Sequence, residues 1–263
     1  MTERDLRLYA PERRANKKMV ESADGTLTMY SEEFDECYHS TRDGALKESL
    51  YKHIIPAFTL APERETLRIL DICFGLGYNT WATIYHAMEN GIDRRIEIFS
   101  PELDEGLVKS LKDFPYPEEF SALSDIIREV SLNGIYDRGD IRIEILFSDA
   151  REIFDTLDKQ IDIVYQDPFS PRKNPALWTK EYFSSIRSVG ADDMILTTYS
   201  SATPVRMGLY ENGFHIYTTP RAEGIRPGTI ASPSHLELPE IDMELKMSRN
   251  PEASAIFDRD IGL

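Results

Sequence analysis

Two glycines and three acidic residues in this 263-residue chain stand where chemistry is easiest to mount. Gly75 and Gly77 interrupt the stretch LRILDICFGLGYNT, residues 67–80. An apolar run (Leu67, Ile69, Leu70, Ile72) precedes them, and helical periodicity resumes through Trp81, Ile84, Tyr85 and Met88. That is a buried strand, a glycine turn and a helix start. Glycine is needed where a backbone takes left-handed angles or approaches a ligand with no Cβ in the way. The helix start beyond it offers free N–H groups and the positive end of a dipole. Glu102, Asp149 and Asp167 each follow a further apolar run, so each falls just past a strand. A single such acid is ordinarily a cap or a solvated charge. Four polar features on one edge point to a site.

The elements that must hold these residues follow from the pattern. Strands are predicted at 67–72, 95–100, 141–147, 161–166, 193–199, 214–218 and 229–232, with a short one near 26–30. Helices are predicted from about Gly44 (Leu46, Leu50, Ile54 and Ile55 on one face), at 78–90, 179–189 and 204–212, and briefly to about Leu157. Pro115 and Pro117 break the helical and loop-like stretch 103–133. Strands alternating with helices predict an α/β fold, a doubly wound, mostly parallel sheet of seven strands. Ligands of such sheets bind outside the carboxyl ends of the strands, where the glycines and acids converge. The chain divides into an N-terminal arm with short strands and a helix (1–60), a main domain (61–235) and an acidic tail (236–263) expected to be irregular.

The net charge of −16 argues against a protein that coats nucleic acid by charge alone. Local basic stretches remain. Residues 1–20 carry Arg4, Arg7, Arg13, Arg14, Lys17 and Lys18, and 168–226 is slightly basic. Cys37 and Cys73 fit no disulfide or metal framework, and no metal is expected. No apolar run approaches the roughly 20 residues of a spanning helix, and no signal peptide is read. The expectation is a cytoplasmic protein with no membrane partner.

Three features favour S-adenosylmethionine over a nicotinamide cofactor. Thr80 stands where G-x-G-x-x-G has its third glycine. The pair Asp149-Ala150 suits the amino group of an adenine. Asp71, just before the turn, suits an ammonium and a sulfonium and not a diphosphate. Glu102, about 30 residues past Asp71, is placed to accept both hydroxyls of a ribose.

At these residues the chain resembles the MnmC-like tRNA methyltransferases, which act on 5-aminomethyl-2-thiouridine at the wobble position. Four blocks carry the resemblance, FDECYHSTRDGALKES, DICFGLGYN, FSDARE and DPFSPRKNPALWT, within about Phe34 to Gly213. The last is the most specific. The resemblance implies a class I methyltransferase fold, S-adenosylmethionine as donor and tRNA as partner. With the residues above, Tyr38 and Asn79 complete the cofactor set it implies, Tyr38 through a Tyr38-His39-Ser40 loop closing over the cofactor. One departure is visible, since Cys73 stands where the family commonly has a glycine. The flavin-dependent oxidase half of some relatives has no room in 263 residues, so a separate enzyme would supply the aminomethyl group.

Methyl transfer to an amine is an in-line displacement in which positioning carries much of the acceleration. An alkylammonium has no lone pair until it loses a proton. Asp167 is expected to orient that amine and help the proton leave. The Pro168 carbonyl would accept a second N–H, and Phe169 would wall the site. Arg172 and Lys173 suit RNA phosphates, and Trp178 is a candidate to stack on a base. Two other readings stand beside this one. They are a class I methyltransferase acting on a small amine or another nucleoside, and a non-catalytic S-adenosylmethionine- or nucleotide-binding protein.

Overall fold

The structure is a computed structural model that describes residues 17–157 and 160–263. Its centre is strand β4 (Thr66–Ile72), buried from Leu67 onward except at Arg68. β5 (Arg95–Pro101) and β7 (Ile141–Leu146) extend the sheet on one side of β4, and β8 (Ile161–Gln166) and β9 (Gly190–Thr198) on the other, all parallel. β11 (Thr229–Ser232) and β10 (His215–Thr218) pair antiparallel beyond β9, and β6 (Ile135–Arg138) beyond β7. The sheet therefore has eight strands, not seven. The additional one, β6, carries a single half-buried residue among exposed ones, so it shows no apolar alternation.

The chain leaves β4 toward β5 and β7, then crosses back to β8 on the opposite side. The switch point thus falls between β4 and β8. Gly75 and Gly77 follow one of these strands and Asp167 the other, so the crevice expected of such a sheet opens between them.

Helix α1 covers these strand ends. It runs continuously through Ala45–Glu48, Ser49–Ile54 and Ile55–Leu60, and its middle segment has π geometry. The wider turn buries three consecutive side chains, Lys52, His53 and Ile54. Regular α periodicity would send one of them outward. Ahead of α1, β1 (Lys17–Glu21), β2 (Leu27–Ser31) and β3 (Glu36–Cys37) form a small antiparallel sheet. Arg4, Arg7, Arg13 and Arg14 of the basic arm lie outside the described residues. Lys17 pairs with Asp104 at 2.6 Å and Lys18 with Glu32 at 2.6 Å.

The turn after β4 is left-handed at three residues, Cys73 (φ 68°), Gly75 (55°) and Gly77 (74°). Cys73 thus adopts the backbone its glycine counterparts would take, at a cost of roughly 1–2 kcal/mol for a residue with a Cβ. Gly77 caps helix α2 (Tyr78–Glu89). A Cβ there would lie 2.5 Å from Trp81 Nε1 and 2.8 Å from Phe74 Cζ, both on buried rings. Left-handed strain and overpacking together predict that Gly77→Ala destabilises the fold by about 2–5 kcal/mol. Calorimetry should record a melting temperature lower by roughly 5–15 °C; an unchanged value would mean that the turn adapts freely.

Two expectations fail away from the crevice. The helix predicted to Leu157 is one 3₁₀ turn, Phe154–Thr156. The segment after Leu236 is not irregular throughout. It forms helices α7 (Met243–Ser248) and α8 (Asp258–Ile261), counting all α-helices in chain order, and buries Met243 and Ala255. Asp258 pairs with Arg151 at 2.6 Å, so this acidic segment is anchored to the body.

Candidate active site

Asp167 is the first residue past β8, and its side chain is 8 % exposed. With Tyr38, His39, Glu48, Phe169 and Tyr199 it lines a cavity of about 670 Å³. One Asp167 oxygen accepts from Asn79 Nδ2 at 2.8 Å, and the other lies 3.5 Å from His53 Nε2. His53 is fully buried, and its Nδ1 meets Thr197 Oγ1 at 3.1 Å. Asn79 Nδ2 also points back to Asp71 at 3.4 Å, and Asp71 accepts from Thr80 Oγ1 at 2.8 Å. A line of polar contacts therefore joins the end of β4, the start of α2, the end of β8 and the π-turn of α1.

The two acids of this line are in different states. Burial pushes the Asp167 carboxyl up, but His53, His39 and the Asn79 amide outweigh it and hold Asp167 below the usual carboxylate range. Burial, helped by the nearby Asp167 charge, raises Asp71 to about 7, against the hydrogen bonds from Thr80 and Asn79 and the pull of His53. His39 packs edge-on against Tyr78, and burial lowers its pKa against the pull of Asp167 and Glu48. An ionised acid therefore faces the cavity, and a neutral one at low pH lies beneath the glycine turn.

Aromatic side chains and the N-terminal sheet fix the cavity wall. Phe34, between β2 and β3, stacks on Phe169 (centroids 4.3 Å apart, planes at 16°), and Tyr38 tilts against the same ring at 5.0 Å. Glu36 accepts from the backbone N–H of Ser170 at 2.9 Å. Tyr38 also stands 3.0 Å from where a Cβ on Gly75 would be, so it lies between the glycine turn and the cavity.

Comparison with known proteins agrees with this arrangement. A family model described as S-adenosyl-L-methionine-dependent methyltransferase matches residues 122–234. An uncharacterized protein of Methanocaldococcus jannaschii is 35 % identical over 201 residues, which are 75 % of this chain and 54 % of that one. The tRNA 5-methylaminomethyl-2-thiouridine biosynthesis bifunctional protein MnmC of Azoarcus sp. is 32 % identical over 218 residues, 76 % of this chain and 33 % of the relative. The chain thus spans about half the length of the first and a third of the second. The crystal structure of MnmC2 from Aquifex aeolicus superposes with a TM-score of 0.79 at 33 % identity, covering 94 % of this chain and 83 % of that one. This chain belongs to the MnmC-like S-adenosyl-L-methionine-dependent methyltransferases.

The crevice of this methyltransferase fits its cofactor on its own geometry. A Cβ at Gly75 would crowd the Tyr38 ring at 3.0 Å on a left-handed backbone (φ 55°), so bare backbone borders the crevice there. Glu102 follows β5 and accepts from the N–H groups of Gly75 (2.9 Å) and Asp104 (2.8 Å), which keeps its carboxylate at the rim of the turn. Each oxygen retains acceptor capacity for a hydroxyl. Asp149, past β7, accepts from Arg151 N through Oδ1 at 2.9 Å, and Ala150 beside it is buried. Asp71 is 1 % exposed and fully engaged by Thr80 and Asn79. It lies under the turn as a support, not at the rim as a ligand.

Three expectations for the acceptor side change. Trp178 is fully buried and packs edge-on against Phe183 and Tyr199. Its indole N–H donates to the Phe169 carbonyl at 2.8 Å, so it props the loop from below and no base can reach it. Lys173 is paired with Asp35 at 2.7 Å, whereas Arg172 is exposed. The Pro168 carbonyl already accepts from Tyr199 OH at 2.9 Å and has one lone pair to spare. His53, Thr197 and Tyr199 escaped the sequence reading. His53 lies on a helix whose apolar face accounts for its neighbours, and only the π-turn aims it inward.

The raised Asp71 predicts a measurable pH dependence. An acid with an ordinary pKa of about 3.9 and a folded value near 7 favours the fold fully below pH 4 and loses that contribution as pH rises to about 7. Asp71→Asn should remove the slope. Denaturation of parent and variant between pH 4 and 8 should give a stability difference that shifts toward the variant as pH rises; parallel curves would contradict a buried neutral Asp71.

Proposed function

We propose that this enzyme methylates the amine of the 5-aminomethyl group on wobble 5-aminomethyl-2-thiouridine in tRNA, giving 5-methylaminomethyl-2-thiouridine. The observation that carries the reading is Asp167, an ionised acid facing an aromatic-walled cavity beside the glycine turn. The part that the Azoarcus relative takes in 5-methylaminomethyl-2-thiouridine biosynthesis supports it.

Bound S-adenosylmethionine would supply an electrophilic methyl group, with Glu102 toward the ribose, Asp149 toward the adenine and the Gly75–Gly77 backbone beneath. The residues of this chain act on the acceptor. Asp167 accepts a hydrogen bond from the incoming ammonium and helps one proton leave toward water, which frees a lone pair on nitrogen. That lone pair would take the methyl group that bound S-adenosylmethionine supplies. The carbonyl of Pro168 holds the remaining N–H in line, and Phe169, clamped between Phe34 and Tyr38, limits the amine to one approach. Glu36, Asp43, Glu48 and Asp167 outnumber Arg42, Lys52 and Arg226 around the cavity, a balance that favours a cationic acceptor.

The tRNA body would meet Arg42, Arg172, Arg221 and Arg226, all exposed and without an ion pair among the described residues. Other cations of 168–226 are committed. Lys180 pairs with Glu211, Arg187 with Asp192, and Arg206 is buried against Thr229. This short supply of free positive charge favours, as a second reading, a small amine as acceptor. Labelled methyl transfer decides between them. Transfer to tRNA bearing the wobble aminomethyl group should exceed that to unmodified transcript at least about 100-fold. Equal rates on the two RNAs, or transfer to the free aminomethyl nucleoside as fast as to the tRNA, would overturn the assignment. Among the described residues no helix is long and apolar enough to cross a membrane.

A further inference from the structure

At the outer edge of the sheet, outside the methyltransferase crevice, three side chains bring metal-ligating atoms close together. His215, the first residue of β10, places Nδ1 2.9 Å from Glu240 Oε1. His235, from the segment after β11, places its Nδ1 3.4 Å from Glu240 Oε2. The two imidazoles lie face to face with centroids 3.6 Å apart and planes at 33°. One donor atom from each residue lies within 4.8 Å of the others. Donors bound at about 2.1 Å around one ion stand roughly 3–4 Å apart, so small side-chain rotations suffice to bind.

The backbone holds this group in place. Ile241 donates to the Ile216 carbonyl at 2.7 Å, and Glu240 bridges Tyr217 in antiparallel register. Leu236 N–H donates to Tyr217 OH at 2.9 Å. The residues next to His235 and Glu240 are therefore tied to the strand that carries His215. Two nitrogens and one carboxylate oxygen suit a borderline ion, not a hard one such as Mg²⁺.

We propose that His215, His235 and Glu240 form a surface site for one divalent transition-metal ion, Zn²⁺ or Ni²⁺, which staples the segment after β11 to strand β10. In the bound state each neutral ring keeps its proton on Nε2 and offers Nδ1 to the ion, the carboxylate supplies an oxygen, and water completes the coordination. The site is independent of methyl transfer, so its test needs neither tRNA nor cofactor.

Titration calorimetry of the untagged full chain with ZnCl₂, NiCl₂ and MgCl₂ tests it. One Zn²⁺ or Ni²⁺ per chain should bind with micromolar affinity, Mg²⁺ should show no saturable heat, and Zn²⁺ should raise the melting temperature. His235→Ala and Glu240→Gln should each weaken binding at least tenfold and abolish the thermal shift. His235 is 75 % exposed, so its loss leaves the fold intact. No saturable binding below about 100 μM, or binding undiminished in both variants, would overturn the proposal.

Discussion

Asp167→Asn should turn over at least about 10²-fold more slowly than the parent at saturating cofactor and tRNA. Asparagine keeps the size of the side chain and an oxygen to accept from Asn79, which now bonds Asp167 at 2.8 Å. What disappears is the charge. Burial works against that charge, and His53, His39 and Asn79 sustain it, so the fold maintains an anion where the acceptor amine must lose a proton. Cofactor affinity should change by less than about threefold, because Asp167 lines the acceptor cavity and Glu102, Asp149 and the glycine turn hold the other side. Stopped-time methyl transfer alongside calorimetric cofactor binding separates the two quantities. A variant at the parent rate would reduce Asp167 to a structural support for the loop.

The difference between what the sequence made legible and what it concealed is one of range. The glycine turn, the strands on either side of it and the acids at their ends are local patterns. Each announces itself within some ten residues, and the observed β8 matches its predicted bounds. β6 was invisible because an exposed edge strand has no alternation to read. Trp178 was ambiguous because a tryptophan near a helix start serves a core or a ligand equally well; only the indole bond to Phe169 decides. Lys173 read as a free cation because its partner, Asp35, lies 138 residues away. The same long-range folding brings Glu36 and Phe34 onto the loop after β8. Periodicity has no access to such pairings, so the chemistry of single positions was readable and their supports were not.

His53 is the support with the most to reveal. It is fully buried and does not line the cavity. It stands 3.5 Å behind the Asp167 carboxylate, longer than a hydrogen bond and within reach of one if the site tightens around its ligands. Two variants separate its functions. His53→Asn preserves a donor toward Thr197 and removes the contact with Asp167, whereas His53→Gln carries an amide out toward the Nε2 position. The first should lower turnover about tenfold or more with little change in KM, and the second should recover part of the loss. The pH profile carries the sharper signature. Without His53 the burial of Asp167 is less well compensated, so its pKa rises and the acid limb of the rate profile should move to higher pH. In an Asp167→Asn background the histidine has no charge left to support, so adding His53→Asn should cost almost nothing further. Equal penalties in both backgrounds, with an unmoved acid limb, would show that His53 serves only to fill the π-turn.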